Sequence, residues 1–312
     1  MSRIAFLFPG QASQYAGMGR DLADRFPESR EVFDAADRVL EISLSTLCFE
    51  GPDEELALTE NTQPAILTVS VAALRALESH GITAEAAAGH SLGEYSALVA
   101  AGSMTFEDAV RTVRSRGRFM QQAVAVGEGA MAAIMGLDFE SVTRLCTDNA
   151  GDQIVVAANF NGPRQTAIAG HATAVERVVA AAAEAGALKT VRLPVSAPFH
   201  SPLMEPAAER LRPVLDALDL RDPRFPVYTN VDAAPVHDAA AVRDALQRQV
   251  ASPVRWQGLV EAMVDAGIDT FVEVGPGKVL CGLVRRIRKG VQLLHVGDAE
   301  GLSRVMEKFS RG

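Results

Sequence analysis

One segment, residues 128–196, narrows the fold more than any other stretch of this chain. It follows the hinge-like "GEG" at 127–129 and runs strand, helix, strand, strand, helix, strand: "AMAAIMGL", "DFESVTRLCTDNA", "IVVAANF", "QTAIAGH", "ATAVERVVAAAAEAG" and "LKTVRLPVS", with "NGPR" as the hairpin turn. That order is the split βαβ of a ferredoxin-like unit. On both sides of it the pattern is one of helices alternating with short strands. "RIAFLFPGQ", "FPVYTN" and "TFVEVG" read as strands. "QPAILTVSVAALRAL" reads as a helix apolar nearly all round, with Pro64 near its start, and "SPLMEPAAERLRPVLDAL" as a long helix. The alternation predicts an α/β protein: residues 1–127 and 197–312 form one parallel sheet covered by helices on both faces, and residues 128–196 are an inserted subdomain. A chain of 312 residues, 48% of them hydrophobic, is long enough for both units.

Composition removes several function classes. "IAFLF" stops at Pro9, short of the roughly 7 to 15 apolar residues of a signal-peptide core, and Arg75 interrupts the best apolar run before it reaches the ~18 residues of a membrane span. The expectation is a cytoplasmic protein with no membrane partner. Cys48, Cys146 and Cys281 are odd in number, far apart and without a Cys-x-x-Cys pair, which predicts buried reduced thiols and no metal site. A net charge of −9 argues against a broad nucleic-acid surface.

"GHSLG" at 89–93 fits Gly-x-Ser-x-Gly, in which a serine sits on a sharp turn between a strand and a helix. The preceding "AEAAAG" is alanine-rich and has no β-branched residue, so local propensity opposes a strand there and only context supplies one. Serine needs a base to take its proton. Of the six histidines, His80, His171, His237 and His295 lie at turns or in polar or terminal segments. His90 adjoins the serine, but its side chain should diverge across the turn and pack. His200, in "SAPFHSPLM", lies where the chain returns from the insert, and a loop there can hang over the elbow. Nearly all of the acids between Ser91 and His200 occupy helical or inserted segments and none sits at an evident strand end of the core, so an acid at another position and a backbone carbonyl both remain open as the histidine's partner. An oxyanion hole needs two backbone N–H groups, which Leu92 and Gln11 in "FPGQAS" can supply, with Gly10 allowing close approach.

Arg116 lies on a helix opened by Thr105 and Asp108 in capping-box spacing, at the edge of the apolar side formed by Ala109, Val110, Val113, Gly117 and Met120. A buried guanidinium needs a partner. A structural carboxylate and an anionic substrate are equal alternatives on this evidence.

"FPGQASQYAGMG", "ENTQPA", "GHSLGEYSAL", "RGRFMQ", "PFHSPLM", "SPVRW" and "EVGPGKVL" occur in the order and spacing of the malonyl-CoA:acyl carrier protein transacylases, and the resemblance covers essentially the whole chain. The resemblance implies an α/β-hydrolase-like core with a ferredoxin-like insert, as the pattern predicts. It implies Ser91 as nucleophile, His200 as base, Gln11 and Leu92 as oxyanion-hole donors, and Arg116 as the clamp on malonate's free carboxylate. It further implies Gln249 as the residue whose carbonyl orients His200, Phe199 as a malonyl-selective side chain, and Gln63 and His90 as supporting residues. The expected partners are malonyl-CoA and holo acyl carrier protein, with phosphopantetheine carried by the acceptor, no resident cofactor or metal, and a monomeric enzyme. The expected reaction is ping-pong transfer through a malonyl-serine ester, supplying fatty-acid synthesis. The rivals are a serine esterase or thioesterase that uses water, a polyketide acyltransferase with another carrier, and a binding scaffold without catalysis.

"GPGK" at 275–278 lacks the full P-loop pattern and reads as a turn opening the last helix. The basic "RRIRKG" at 285–290 suits a helix C-terminus, but acidic carrier protein or coenzyme A phosphates are equally suitable partners.

Overall fold

The computed structural model describes residues 2–195 and 197–309. Ser196, where the sequence ends the insert, and the extreme termini of the outer segments lie outside the described residues.

Two sheets organise the chain. The larger contains β1 (Ile4–Phe8), β2 (Ala86–Gly89), β7 (Val227–Tyr228), β8 (Pro235–Val236), β9 (Thr270–Val274) and β10 (Gln292–Val296), in the order β10-β9-β1-β2-β7-β8. All neighbours are parallel except the edge pair β7 and β8. The period of two along the central strands sorts side chains onto two faces. Phe6, Phe8, Ala87 and Val272 join the core beneath the helices Thr59–Ser79 and Phe106–Gln122, whereas Ala5, Leu7, Ala86, Ala88 and Phe271 pack under the helices Trp256–Asp265 and Val279–Ile287. This is an α/β-hydrolase-like core of helix, sheet and helix.

β2 shows tertiary context overriding propensity. Its residues are all buried between β1 and β7, in register Ala5 to Ala86 through Phe8 to Gly89. The neighbouring elements take up the space that a larger side chain would fill.

The smaller sheet contains β3 (Gly129–Met135), β4 (Val155–Gly162), β5 (Gln165–His171) and β6 (Lys189–Arg192), antiparallel throughout in the order β4-β5-β3-β6. The helices Phe139–Asn149 and Ala172–Glu184 cover one face over a core that includes Ile134, Val142, Ile168 and Val178. This is the ferredoxin-like arrangement expected from the element order. Its contact with the larger unit depends on two irregularities in β4. The pairing with β5 slips between Ala157 and Asn159 and again between Phe160 and Gly162, so Ala158 and Asn161 have no partner in that ladder. Ala158 O instead accepts from Val254 N at 2.8 Å, and Phe160 N donates to Val254 O at 2.8 Å. Asn161 turns towards the elbow.

Three local expectations need correction. Pro64 is interior to a helix that begins at Thr59, five residues earlier, because the chain enters it from Leu58. The predicted long helix starts as a 3₁₀ turn, Pro202–Met204, before the α-helix Glu205–Asp216, because Pro206 lacks the N–H that a continuous helix would use. The "GPGK" turn opens the helix Val279–Ile287, which is followed by β10 and the helix Ala299–Phe309 and so is not the last. The buried Glu273 accepts from the amides of Leu280 at 3.0 Å and Cys281 at 2.8 Å, so a protein carboxylate already occupies the place where a phosphate would sit.

Among the described residues, no helix is long and apolar enough to cross a membrane, and no cluster of three or more His, Cys, Asp or Glu could hold a metal ion. The three cysteines are free and buried, and burial pushes each thiol pKa upward.

Candidate active site

The site lies beyond the carboxyl ends of β1, β2 and β7, where open parallel sheets bind ligands. At the end of β2 the chain turns into the helix Gly93–Ala100 with Ser91 at φ 51°, a left-handed conformation that serine adopts only under constraint. The two flanking glycines make the turn sterically feasible. A Cβ on Gly89 would meet the Gly93 carbonyl carbon at 1.8 Å, and one on Gly93 would meet Phe8 O at 2.0 Å. Only hydrogen fits at either place.

Ser91 Oγ lies 2.7 Å from His200 Nε2. His200 is 3% exposed and also has a left-handed backbone, φ 60°. Its Nδ1 faces the carbonyls of Gln249 at 3.1 Å and Ser252 at 3.2 Å. A carbonyl can only accept, so Nδ1 carries the proton and Nε2 is the lone pair facing the serine. Burial, helped by the positive charge of Arg116 and by His90, pulls the His200 pKa down to about 3, against the two carbonyls that raise it. The imidazole is neutral and ready to accept a proton at neutral pH.

Arg116 is 1% exposed. Its Nη1 donates to Gln63 Oε1 at 2.9 Å, and its Nη2 donates to Gln249 Oε1 at 3.0 Å and to Ser91 Oγ at 3.1 Å. Among the described residues Nε has no hydrogen-bond partner, and the guanidinium lies 5.7 Å from the Tyr95 ring centre. Among the described residues, no carboxylate lies within salt-bridge distance of it. Arg116 is therefore a buried cation whose hydrogen bonds go to neutral oxygens beside a nucleophile, with the buried Glu94 the carboxylate that acts on it from beyond ion-pair distance, and its direct contacts leave room for an anionic ligand. It reaches this place because its helix approaches the helix Thr59–Ser79 closely: a Cβ on Gly117 would meet Thr59 O at 2.5 Å.

The remaining expected residues divide between this network and its surroundings. Gln63, fully buried, passes the chain of contacts from Arg116 to Gln11 through Nε2, 3.2 Å from Gln11 Oε1. Gln249 Nε2 donates to Ser91 O at 3.0 Å, so one residue contacts Ser91, His200 and Arg116. The backbone N–H groups of Gln11 and Leu92 have no hydrogen-bond partner among the described residues. Phe199 is buried next to His200. His90 turns away from Ser91: its Nε2 meets Asn161 Oδ1 at 2.8 Å across the subdomain contact, and its ring lies 5.4 Å from that of Trp256. This is the packing role expected of it.

Sequence reasoning missed Asn230 and Glu94. Asn230 is fully buried just beyond β7, and its Oδ1 accepts from Ser91 N at 2.6 Å. Glu94, 1% exposed, accepts from Asn230 N at 2.8 Å. Two signals were present: an Asn at the carboxyl end of the strand-like "FPVYTN", and one carboxylate in the otherwise apolar "GEYSALVAA".

An acyl transferase domain model matches residues 5–300. The malonyl CoA-acyl carrier protein transacylase of Bacillus subtilis (strain 168) is 50% identical over 302 residues, covering 96% of this chain and 95% of the relative. That of Escherichia coli (strain K12) is 50% identical over 288 residues, 92% of this chain and 93% of the relative. Among solved structures, the malonyl CoA-acyl carrier protein transacylase of Coxiella burnetii superposes with a TM-score of 0.96 at 42% identity, covering 98% of each chain. A malonyl-transacylase in complex with its holo type II PKS acyl-carrier protein also gives 0.96, at 46% identity, covering 98% of this chain and all of that one.

Proposed function

The chain belongs to the acyl transferase family, and from that premise we infer that it moves malonyl groups from malonyl-CoA to the phosphopantetheine thiol of holo acyl carrier protein, supplying fatty-acid synthesis. The observation that carries this reading is the buried Arg116 guanidinium, hydrogen-bonded to neutral oxygens and 3.1 Å from Ser91 Oγ. Malonyl is an acyl group with a second, free carboxylate, and a planar guanidinium binds a carboxylate through two parallel hydrogen bonds.

In this reading Ser91 Oγ attacks the thioester carbonyl carbon while His200 Nε2 takes its proton. The oxyanion that forms is stabilised by the N–H groups of Gln11 and Leu92. Collapse breaks the C–S bond, His200 returns the proton to the departing coenzyme A thiolate, and a malonyl-serine ester remains. The carrier thiol repeats the sequence in the second half, giving its proton to His200 as it attacks, and Ser91 leaves with that proton. Gln249 holds the imidazole through its carbonyl and the clamp through its side chain. Gln63 couples the clamp to the Gln11 loop, Phe199 bounds the acyl pocket beside His200, and His90 fixes the insert against the elbow. The chemistry uses a thiolate leaving group and calls for no resident cofactor or metal. The enzyme in this reading acts as a monomer. The reading places the enzyme in the cytoplasm with its coenzyme A substrate.

Intact mass after mixing with malonyl-CoA tests the reading. The wild type gains one malonyl group and loses it to holo carrier protein, while Ser91→Ala, folded as judged by circular dichroism, gains none. A malonyl adduct on Ser91→Ala would remove Ser91 from its role.

A further inference from the structure

Asn230 grips the elbow on both sides of its strained residue. Its side-chain Oδ1 accepts from Ser91 N at 2.6 Å, and its Nδ2 donates to Gly89 O at 2.7 Å, two residues earlier. The same amide therefore spans the end of β2 and the first residue of the turn. Asn230 is itself held from behind. Its backbone N–H donates to Glu94 Oε2 at 2.8 Å, and its backbone carbonyl accepts from Arg255 N at 2.9 Å. Glu94 lies on the first turn of the helix that follows Ser91, so elbow, helix and β7 close into a ring: Gly89, Ser91, Glu94, Asn230. All four are at least partly buried, and Asn230 and Glu94 almost completely so.

A buried carboxylate is costly and uncommon. Glu94 has no ion-pair partner within salt-bridge distance among the described residues, and the proton transfer assigned to His200 makes no use of it. Its carboxylate holds Asn230, and it also faces Gln249 and the charge of Arg116. Ser91 at φ 51° is a strained backbone conformation that persists only where its surroundings over-determine it. If the Ser91 amide were released, the turn could relax and Oγ would move off the line to His200 Nε2.

We propose that Asn230 and Glu94 are positioning residues of the transfer reaction, with Asn230 fixing the Ser91 backbone so that Oγ points at His200, and Glu94 fixing Asn230. The proposal rests on Ser91 as nucleophile. It separates two jobs within the site: the ring sets the reactivity of Ser91, and Arg116 selects the acyl group.

The test is pre-steady-state loading by malonyl-CoA and acetyl-CoA in the wild type and in Asn230→Ala, Asn230→Asp, Glu94→Ala and Glu94→Gln, with melting temperatures measured alongside. Misplacing a reacting atom by about 1 Å costs on the order of 100-fold in rate. Asn230→Ala should therefore lower the loading rate constant roughly 10- to 100-fold, with KM for malonyl-CoA and the malonyl-to-acetyl ratio held near wild type. Asn230→Asp has the same shape and can still accept from Ser91 N, but it cannot donate to Gly89 O, so it should also load slowly even when fully folded. Glu94→Gln keeps an acceptor facing Asn230 N and should recover most of the rate that Glu94→Ala loses. Wild-type loading by folded Asn230→Ala or Asn230→Asp would overturn the proposal, as would a loss seen only in KM or in acyl selectivity. If the wild type itself fails to carry malonyl on Ser91, the functional reading has failed, and that result is distinct from any of these.

Discussion

Arg116 Nη2 lies 3.1 Å from Ser91 Oγ, the oxygen that also meets His200 Nε2 at 2.7 Å. One serine oxygen thus faces both the guanidinium proposed to recognise the substrate's carboxylate and the imidazole proposed to take the serine's proton. In the proposed function a malonyl carboxylate at Arg116 takes N–H groups that now serve Ser91 Oγ and Gln249 Oε1, so the acyl group is recognised next to the oxygen that receives it.

The first prediction follows from that placement. Arg116→Ala should reduce malonyl loading by roughly 2 to 5 kcal/mol in transition-state terms, the size of a desolvated charge pair. Acetyl loading should fall far less, since acetyl has no carboxylate to hold. Second-order loading constants for the two thioesters decide the matter. Equal losses would make Arg116 a structural residue.

The second prediction concerns proton linkage. The His200 pKa is pulled down to about 3, first by burial and then by the charge of Arg116, while burial lifts that of Glu94 to about 7. An unfolded histidine binds a proton below about pH 6.5 that folded His200 refuses, so this residue lowers stability as pH falls from about 6.5 towards 3. Folded Glu94 keeps a proton that the unfolded chain releases above about pH 4.3, so it lowers stability as pH rises from there to about 7. Between about pH 4.5 and 6.5 the two slopes oppose each other. Glu94→Gln removes one of them, and urea unfolding across that range should then show a stability slope steeper by about 1.4 kcal/mol per pH unit, rising with pH. An unchanged slope in the variant would exclude a titrating Glu94.

Much of this site was legible because its chemistry needs particular residue types in particular frames. Ser91 sits in a motif whose glycines are set by contacts of about van der Waals radius or less, and Arg116 stands out as a charge on an apolar helix edge. The ferredoxin-like character of the insert followed from element order alone. The alanine strand β2 was legible only from context, because its composition reflects close packing on both faces and carries no β signal of its own. Asn230 and Glu94 escaped for a different reason: their role is a hydrogen-bonded ring closed between residues 89 and 230, and no local period or spacing encodes it. The same holds for Asn161, which reaches His90 only because β4 slips its register at that residue.

The third prediction uses the close approach of two helices. A methyl group at position 117 would lie 2.5 Å from Thr59 O and 2.9 Å from Glu60 Cα, both backbone atoms that cannot move aside alone. Gly117→Ala should push the helix Phe106–Gln122 away from the helix Thr59–Ser79 and stretch the 2.9 Å bond between Arg116 and Gln63. Overpacking of this kind costs roughly 1 to 3 kcal/mol of stability. Malonyl selectivity over acetyl should fall together with the melting temperature. A variant that loses stability while keeping its selectivity would show that Arg116 does not depend on this contact.

The last prediction separates transfer from hydrolysis. Water stands at about 55 M around any open site, so a malonyl-serine ester survives only if a properly placed water is kept from its carbonyl. Two features of this site work in that direction. In the proposed function Arg116 holds the far carboxylate, so the acyl group is fixed at both ends and a properly placed water is disfavoured. The imidazole, facing two carbonyls at Nδ1 in place of a carboxylate, is a modest base for serine and water alike, and the carrier thiol, far more acidic and more nucleophilic than water, is favoured over it as the second nucleophile. Enzyme loaded with malonyl-CoA and stripped of excess should therefore keep its adduct in buffer and discharge rapidly when holo carrier protein is added, as followed by intact mass over time. Arg116→Ala, loaded slowly with excess substrate, should hydrolyse its adduct faster than the wild type because the acyl group is held at one end only. If buffer empties wild-type Ser91 as fast as the carrier does, the protein is a thioesterase in its chemistry whatever its fold, and the assignment of carrier protein as acceptor fails with it.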